Sequence, residues 1–303
     1  MAVDKIFYNQ MSSKQLGWKP HWFGAEYFDE DLIKEIKKWQ RNRKLKIDGL
    51  IGPMSFRRIW TEREASIDDF LPPEVPACLG SHIVCNSEII PIEWDKVVLW
   101  SQQGGLTCNP GTYYNFAGKP KRDVKMFVNH WDVCLSSKSC EKIMKRKGTS
   151  VHFCIDNDGT IYQLLDTQHA AWQAGTRVTN LASVGVEISN AYYTKYNKTY
   201  VKRGFGERPT WVGEVHGSKL GQFLGFYDVQ LEALKALWKA MNKAYSIPLS
   251  APINENNDLL KGVHKPAAQG KYRGIVNHYN LTKRKIDCAG LDVLKLLEEI
   301  KQQ

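Results

Sequence analysis

SVHFCIDNDGTIYQLLD, residues 150–166, decides the fold class. Two apolar runs flank Asn157-Asp158-Gly159, and Asp-Gly supplies the positive φ that a tight hairpin turn needs. The spacing predicts a β-hairpin with His152 on its first strand. Upstream, DVKMFVNHWD (123–132) reads as a buried strand, with His130 where that strand emerges. Downstream, SVGVEIS (183–189) reads as another, carrying one carboxylate, Glu187. A glutamate inside an apolar strand is expensive to bury without a partner or a task. Alternation onto a solvated face is the other reading, and the strand alone leaves both open. DKVVLW (95–100) is a further strand candidate. Residues 227–245 predict an amphipathic helix striped by Leu231, Leu234, Trp238, Met241 and Tyr245, ended by Ile247-Pro248. A final helix over 291–302 repeats the pattern. Strands and helices alternate over 95–303, which predicts an α/β domain with a central mixed sheet flanked by helices.

The C-terminal stretch GIVNHYNLTKRKIDCAG (274–290) fits neither a helical repeat nor a buried strand, because 283–287 carries four charges in five residues. It predicts a loop that returns to meet its own start and presents His278 and Asp287 to one cation, with Lys285 between them and Cys288 adjacent. A catalytic zinc takes three protein ligands and keeps one position open, so another ligand must come from elsewhere in the chain.

The formal charge of +10 suggests a polyanionic partner without choosing among nucleic acid, a membrane surface and an acidic cell envelope. No run of 18 apolar residues occurs, so stable membrane insertion is not expected. The first 20 residues lack the apolar core of a secretory signal. The expectation is synthesis in a cytoplasm and, if the target lies outside, release by another agent. Seven cysteines is an odd number, and no CxxC pair occurs. Cys134 and Cys140 bracket CLSSKSC, read as a short loop, and would bridge in an oxidising compartment; most cysteines are expected to stay reduced.

Residues 1–68 read as a separate module, a small three-helix domain. Asp29 is a candidate N-cap, followed by Leu32, Ile33, Ile36 and Trp39 at helical spacing. LKIDGLIGP (45–53) then makes a tight loop, and Pro53 opens a helix carrying Phe56, Ile59 and Trp60. Residues 69–92, with four prolines, read as a linker, leaving 93–303 as the main domain. Within it, 192–226 reads as a polar, aromatic insertion without clear periodicity. Its Tyr193, Tyr196, Tyr200 and Trp211, set among lysines, would line a saccharide groove or cap a sheet edge, the groove being slightly favoured.

Two resemblances follow from these motifs. Trp39-Gln40 before Asp48-Gly49 and Gly52-Pro53 is similar to the widespread peptidoglycan-binding module. FVNH, SVHFCIDNDGTIYQ, AWQAG, SVGVE and HYNLTKRKIDC, in that order over roughly 125–303, resemble the zinc-dependent N-acetylmuramoyl-L-alanine amidases. That family includes phage amidase lysins, bacterial muropeptide amidases and the animal peptidoglycan recognition proteins. The resemblance implies one Zn2+ held by His130, His278 and Asp287, with Cys288 the rival third ligand. Asp287 is favoured because Lys285 stands two residues before it, as the family lysine does before its ligand. It implies Glu187 as general base, Lys285 beside the developing oxyanion, and His152, Trp172, Gln173 and Asn190 as substrate-binding residues.

Val151 stands where some members have a tyrosine, and Gln173 where many have a histidine that could donate a proton. His152 or His169 is the expected substitute. The implied reaction is hydrolysis of the amide between N-acetylmuramic acid and L-alanine, by a monomer shaped like a phage endolysin and acting on the cell wall. Recognition of peptidoglycan without cleavage is the competing reading. Nucleic-acid binding rests on charge alone and is not expected.

Overall fold

Asp4 and Asp29 each open a helix by accepting a backbone N–H at 3.0 Å, from Phe7 and from Leu32. These start α1 (Lys5–Leu16) and α2 (Glu30–Asn42), and Gly52-Pro53 starts α3 (Pro53–Ser66). In this computed structural model, which describes residues 3–71 and 77–302, the chain divides into two units at Phe70/Leu71. In the first unit, α2 buries Leu32, Ile33, Ile36 and Trp39, and α3 buries Phe56, Ile59 and Trp60. The Asp48–Gly52 loop is held by two amides. Asn9 donates to Gly49 O and accepts from Ile51 N; Gln40 donates to Leu50 O and accepts from Gly49 N. Gly49, at φ +76°, takes the left-handed turn between them.

The second unit begins with β1 (His82–Cys85) and β2 (Glu88–Pro91), an antiparallel hairpin. This corrects the linker expected over 69–92. Prolines suggested a connector, but Ile83 and Cys85 are buried and the Gln163 amide brackets Val84, accepting from its N–H and donating to its carbonyl. Residues 72–76 of that expected linker lie outside the described residues.

Then follow β3 (Val97–Leu99), β4 (Tyr113–Tyr114), β5 (Met126–Trp131), α4 (Ser137–Lys147), β6 (Phe153–Ile155), β7 (Ile161–Gln163), β8 (Ala170–Ala171), α5 (Arg177–Leu181) and β9 (Ser183–Ile188). CLSSKSC is not a loop: Ser136 caps α4, so Cys140 is helical, and every cysteine is a free thiol. The expected insertion over 192–226 contains α6 (Asn197–Lys202) and the antiparallel pair β10 (Thr210–Val215) and β11 (Ser218–Leu224). Its aromatic residues are mostly structural: Tyr196 and Tyr200 are buried and Trp211 packs edge-on against Phe226, which corrects the groove expectation. The chain ends with α7 (Asp228–Tyr245), α8 (Lys265–Ala268), β12 (Gly274–Asn277) and α9 (Val293–Gln302).

The central sheet has strand order β12-β5-β9-β6-β7-β3 and is mixed, with β6/β7 antiparallel and its other pairs parallel. This is the expected α/β architecture. One face (Phe127, Trp131, Val184, Val186, Ile188) packs on α7 and α9 through Leu234, Trp238 and Leu297. Burying each such side chain contributes about 1.5–3 kcal/mol. The other face carries Met126, Val128 and Val276, and beyond them the polar residues of the site.

Candidate metal centre

Parallel strands β5 and β12 lie side by side with Asn129 opposite Asn277, so each delivers a histidine from the same end of the sheet. The Asn129 amide donates to Asn277 Oδ1 at 3.1 Å and accepts from Trp238 Nε1 at 3.2 Å. Asn277 in turn donates to Tyr279 Oη at 2.8 Å. This buried amide pair locks the two strand ends together beneath the imidazoles.

After β12 the chain loops outward and returns, and Tyr279 N–H donates to Asp287 O at 3.0 Å, closing the predicted return. The closure brings Asp287 Oδ2 to 2.9 Å from His278 Nδ1 and 3.2 Å from His130 Nδ1, with the two nitrogens 2.9 Å apart. All three residues are buried. Burial alone raises the Asp287 carboxyl, but the His278 and His130 rings outweigh it and hold the group well below the usual carboxylate range. Three lone-pair atoms within about 3 Å repel one another unless a cation or proton sits among them. A tetrahedral zinc with ligands at about 2.0–2.1 Å places its donors about 3.3 Å apart, close to this spacing. The donor set therefore fits Zn2+. Cys288 is not part of the cluster: it is fully buried in the apolar core, and burial, then the Asp287 charge, pushes its thiol well up.

Glu187 pairs directly with His130 across β5/β9, so both project from the same sheet face. Gln173 lies over that face too. Its Nε2 donates to Ser183 Oγ at 3.3 Å, and its Oε1 occupies the place a side chain at position 185 would fill. Trp172 stands beside Tyr114 with ring centroids 5.6 Å apart. Its indole N–H meets no protein acceptor among the described residues. Lys285 is half-buried, two residues before Asp287.

Two expected substrate contacts are placed elsewhere. His152 is fully buried: its Nε2 lies 3.0 Å from His169 O and its Nδ1 accepts from Gly185 N at 3.3 Å. Burial and then the Arg122 guanidinium push it well below the usual imidazole range, so it stays neutral. His169 is lowered as well, by burial first, and its Nδ1 accepts from Phe116 N. Both rings are therefore shifted towards the neutral form, away from the protonated state a proton donor needs. Asn190 is buried too, donating to Leu224 O and Gly225 O and accepting from Tyr192 N.

A second group, Asp132 with Cys134 and Cys140, also lies close together. Its carboxylate is already satisfied by Cys134 N, Asn190 N and Ser189 Oγ, which ties the ends of β5 and β9 together.

The sequence reading missed the Asn129–Asn277 pair. The signal was present in two strands that share one ending, Val128-Asn129-His130-Trp131 and Val276-Asn277-His278-Tyr279.

No curated protein matches the sequence. Among solved structures, AmpDh3 of Pseudomonas aeruginosa, determined in complex with anhydromuramic pentapeptide, is 18% identical over 65% of this chain and 66% of that chain, with a TM-score of 0.38. AmiA of Staphylococcus aureus is 12% identical over 65% and 82%, TM-score 0.40. The amidase LysC of Clostridium intestinale is 15% identical over 65% and 97%, TM-score 0.37. The family described as N-acetylmuramoyl-L-alanine amidase matches residues 120–288, more than half of the chain, a span that holds His130, Glu187, His278 and Asp287. The chain belongs to the N-acetylmuramoyl-L-alanine amidase family.

Proposed function

We propose that this chain is a zinc-dependent peptidoglycan hydrolase that cuts the amide bond between N-acetylmuramic acid and the L-alanine of the stem peptide. The observation that carries the reading is the meeting of His130, His278 and Asp287, drawn from segments 148 residues apart, on the sheet face that also bears Glu187. His130 and His278 would hold the ion through Nδ1 and Asp287 through Oδ2. When bound, the zinc supplies Lewis acidity for a water molecule and for the scissile carbonyl.

The chain's own groups do the rest. Glu187, half-buried on the neighbouring strand, takes the proton of the attacking water and returns it to the departing alanine nitrogen. Lys285 offers positive charge to the oxyanion. Gln173 and Trp172 contribute an amide and an indole N–H to bind the stem peptide or muramyl group. Residues 1–68 hold the enzyme on the insoluble polymer and raise its local concentration. The +10 charge suits an anionic envelope. The modular layout suits an endolysin that reaches the wall after release from the cell where it is made.

Purified peptidoglycan incubated with the protein tests this. The expected result is new N-terminal alanine without new reducing sugar ends, abolished by a chelator and restored by zinc. Glu187→Gln should lower kcat about 10²–10⁴-fold. A protein that sediments with the wall yet releases no alanine amino groups in the presence of zinc is a receptor, and the proposal fails.

A further inference from the structure

The tip of the β10–β11 hairpin reaches the loop that bears Asp287. His216 and Gly217 form the turn, with φ +55° and +75°, the pattern of a type I′ turn. His216 N–H donates to Lys261 O at 2.8 Å, and its Nε2 lies 2.9 Å from Lys285 O. A carbonyl only accepts, so Nε2 carries the proton and donates. The imidazole also stands edge-on to Tyr279, centroids 6.4 Å apart at 90°. Tyr279 follows His278 and donates its backbone N–H to Asp287 O. Below the tip, Gly213 closes on Ala289, and Gly290 lies under Trp211 and Phe223.

The stretch from Thr282 to Asp287 needs such support, because the bonds it makes within itself are long. Lys285 N to Thr282 O is 3.3 Å and Arg284 N to Thr282 Oγ1 is 3.4 Å. The hairpin, in contrast, is rooted firmly. Arg208 at its foot donates to Gly225 O, Gln230 Oε1, Asn157 Oδ1 and Ser189 O, and Leu224 N donates to Tyr192 O at 2.7 Å.

We propose that the hairpin is a clamp on the metal-bearing loop and that His216 is its positioning residue, fixing the Lys285 carbonyl so that the Lys285 side chain and the Asp287 carboxylate keep their placement. The inference rests on the zinc reading above and deepens it. His216 touches neither metal nor substrate; it acts through the backbone of the loop. Outer groups that orient metal ligands are typically worth about 10–100-fold in metal affinity.

Three forms of the 303-residue chain separate this role from a merely structural one. Asparagine tolerates the left-handed turn conformation better than histidine but is too short to reach Lys285 O. Glutamine is long enough to donate the same hydrogen bond. Zinc affinity is read by chelator competition, the ligand field by the visible spectrum of the Co2+-substituted protein, and folding by the melting temperature of the metal-free form. The expected result is that H216N melts no lower than wild type yet binds zinc about 10-fold more weakly with an altered cobalt spectrum, while H216Q returns both metal readouts toward wild type. Wild-type affinity and spectrum in H216N overturn the clamp. Equal weakening in H216N and H216Q overturns the hydrogen bond as its cause. A wild type that binds no zinc overturns the zinc reading itself, and the clamp with it.

Discussion

Cys288 is one peptide bond from Asp287, and the two side chains have opposite surroundings. The carboxylate meets two imidazoles, whereas the thiol enters the apolar core. Sequence alone kept both as candidates because adjacency cannot tell which of two neighbouring side chains points inward. Burial governs three other thiols as well. It pushes Cys85 up to about 12 and Cys108 and Cys154 up to about 11. At pH 8 a thiol with a pKa of 11 is about one part in a thousand thiolate, the reactive form. A thiol-labelling reagent at pH 8 should therefore modify the exposed Cys78 rapidly and these three slowly, as peptide mass spectrometry would read; fast labelling of Cys108 would contradict this.

His152 gives a pH prediction at the same scale. It is neutral in the folded chain, but near pH 6.5 the unfolded chain begins to bind a proton there. The unfolded state then holds more protons, so the contribution of His152 to stability falls as the pH drops below about 6.5, by up to about 1.4 kcal/mol per pH unit. Metal-free His152→Gln should be less stable than wild type at pH 8, with the gap narrowing between pH 6.5 and 5 in urea titrations. A gap that widens contradicts the assignment.

Elements with continuous apolar runs or a helical apolar stripe were legible: β5, β6, β7, β9, α2 and α7 lie where those patterns placed them. The misses share a physical cause. The buried side of α1 is polar (Asn9, Ser12, Ser13) while Phe7 and Met11 face solvent, so apolar periodicity cannot reveal it. The hairpin β10–β11 is largely exposed at its tip and rich in glycine, which hides the strand signal. Its anchor is an arginine, a residue expected at the surface. Buried Arg208 donates to four acceptors and stacks on Tyr200 and Tyr227 at 4.3 Å. Arg208→Met should bare several of those acceptors and destabilise the second unit by about 3–5 kcal/mol in urea unfolding. A loss under 1 kcal/mol would show that the hairpin is held by its aromatic packing instead.

The whole molecule joins two units that were legible for different reasons. The first was read from a helical stripe and a loop motif, whose residues help Asn9 to hold the loop: Gln40 and Asp48 bond to each other at 2.9 Å, and Gly49 makes the turn. The second was read from five ordered motifs, although its β1–β2 hairpin was mistaken for linker. A protein beginning at Leu71 should keep its kcat on soluble muropeptides and lose activity on intact cell walls. Equal activity on walls would remove the anchoring role of the first unit.

The proposed zinc site rests on residues brought together by the parallel pairing of β12 with β5. Metal analysis of the purified protein tests it most directly. One zinc per chain is expected in wild type and in Cys288→Ser, and loss of that zinc in His130→Ala, His278→Ala and Asp287→Ala, each still folded by circular dichroism. Zinc that stays with Asp287→Ala and leaves with Cys288→Ser would contradict it.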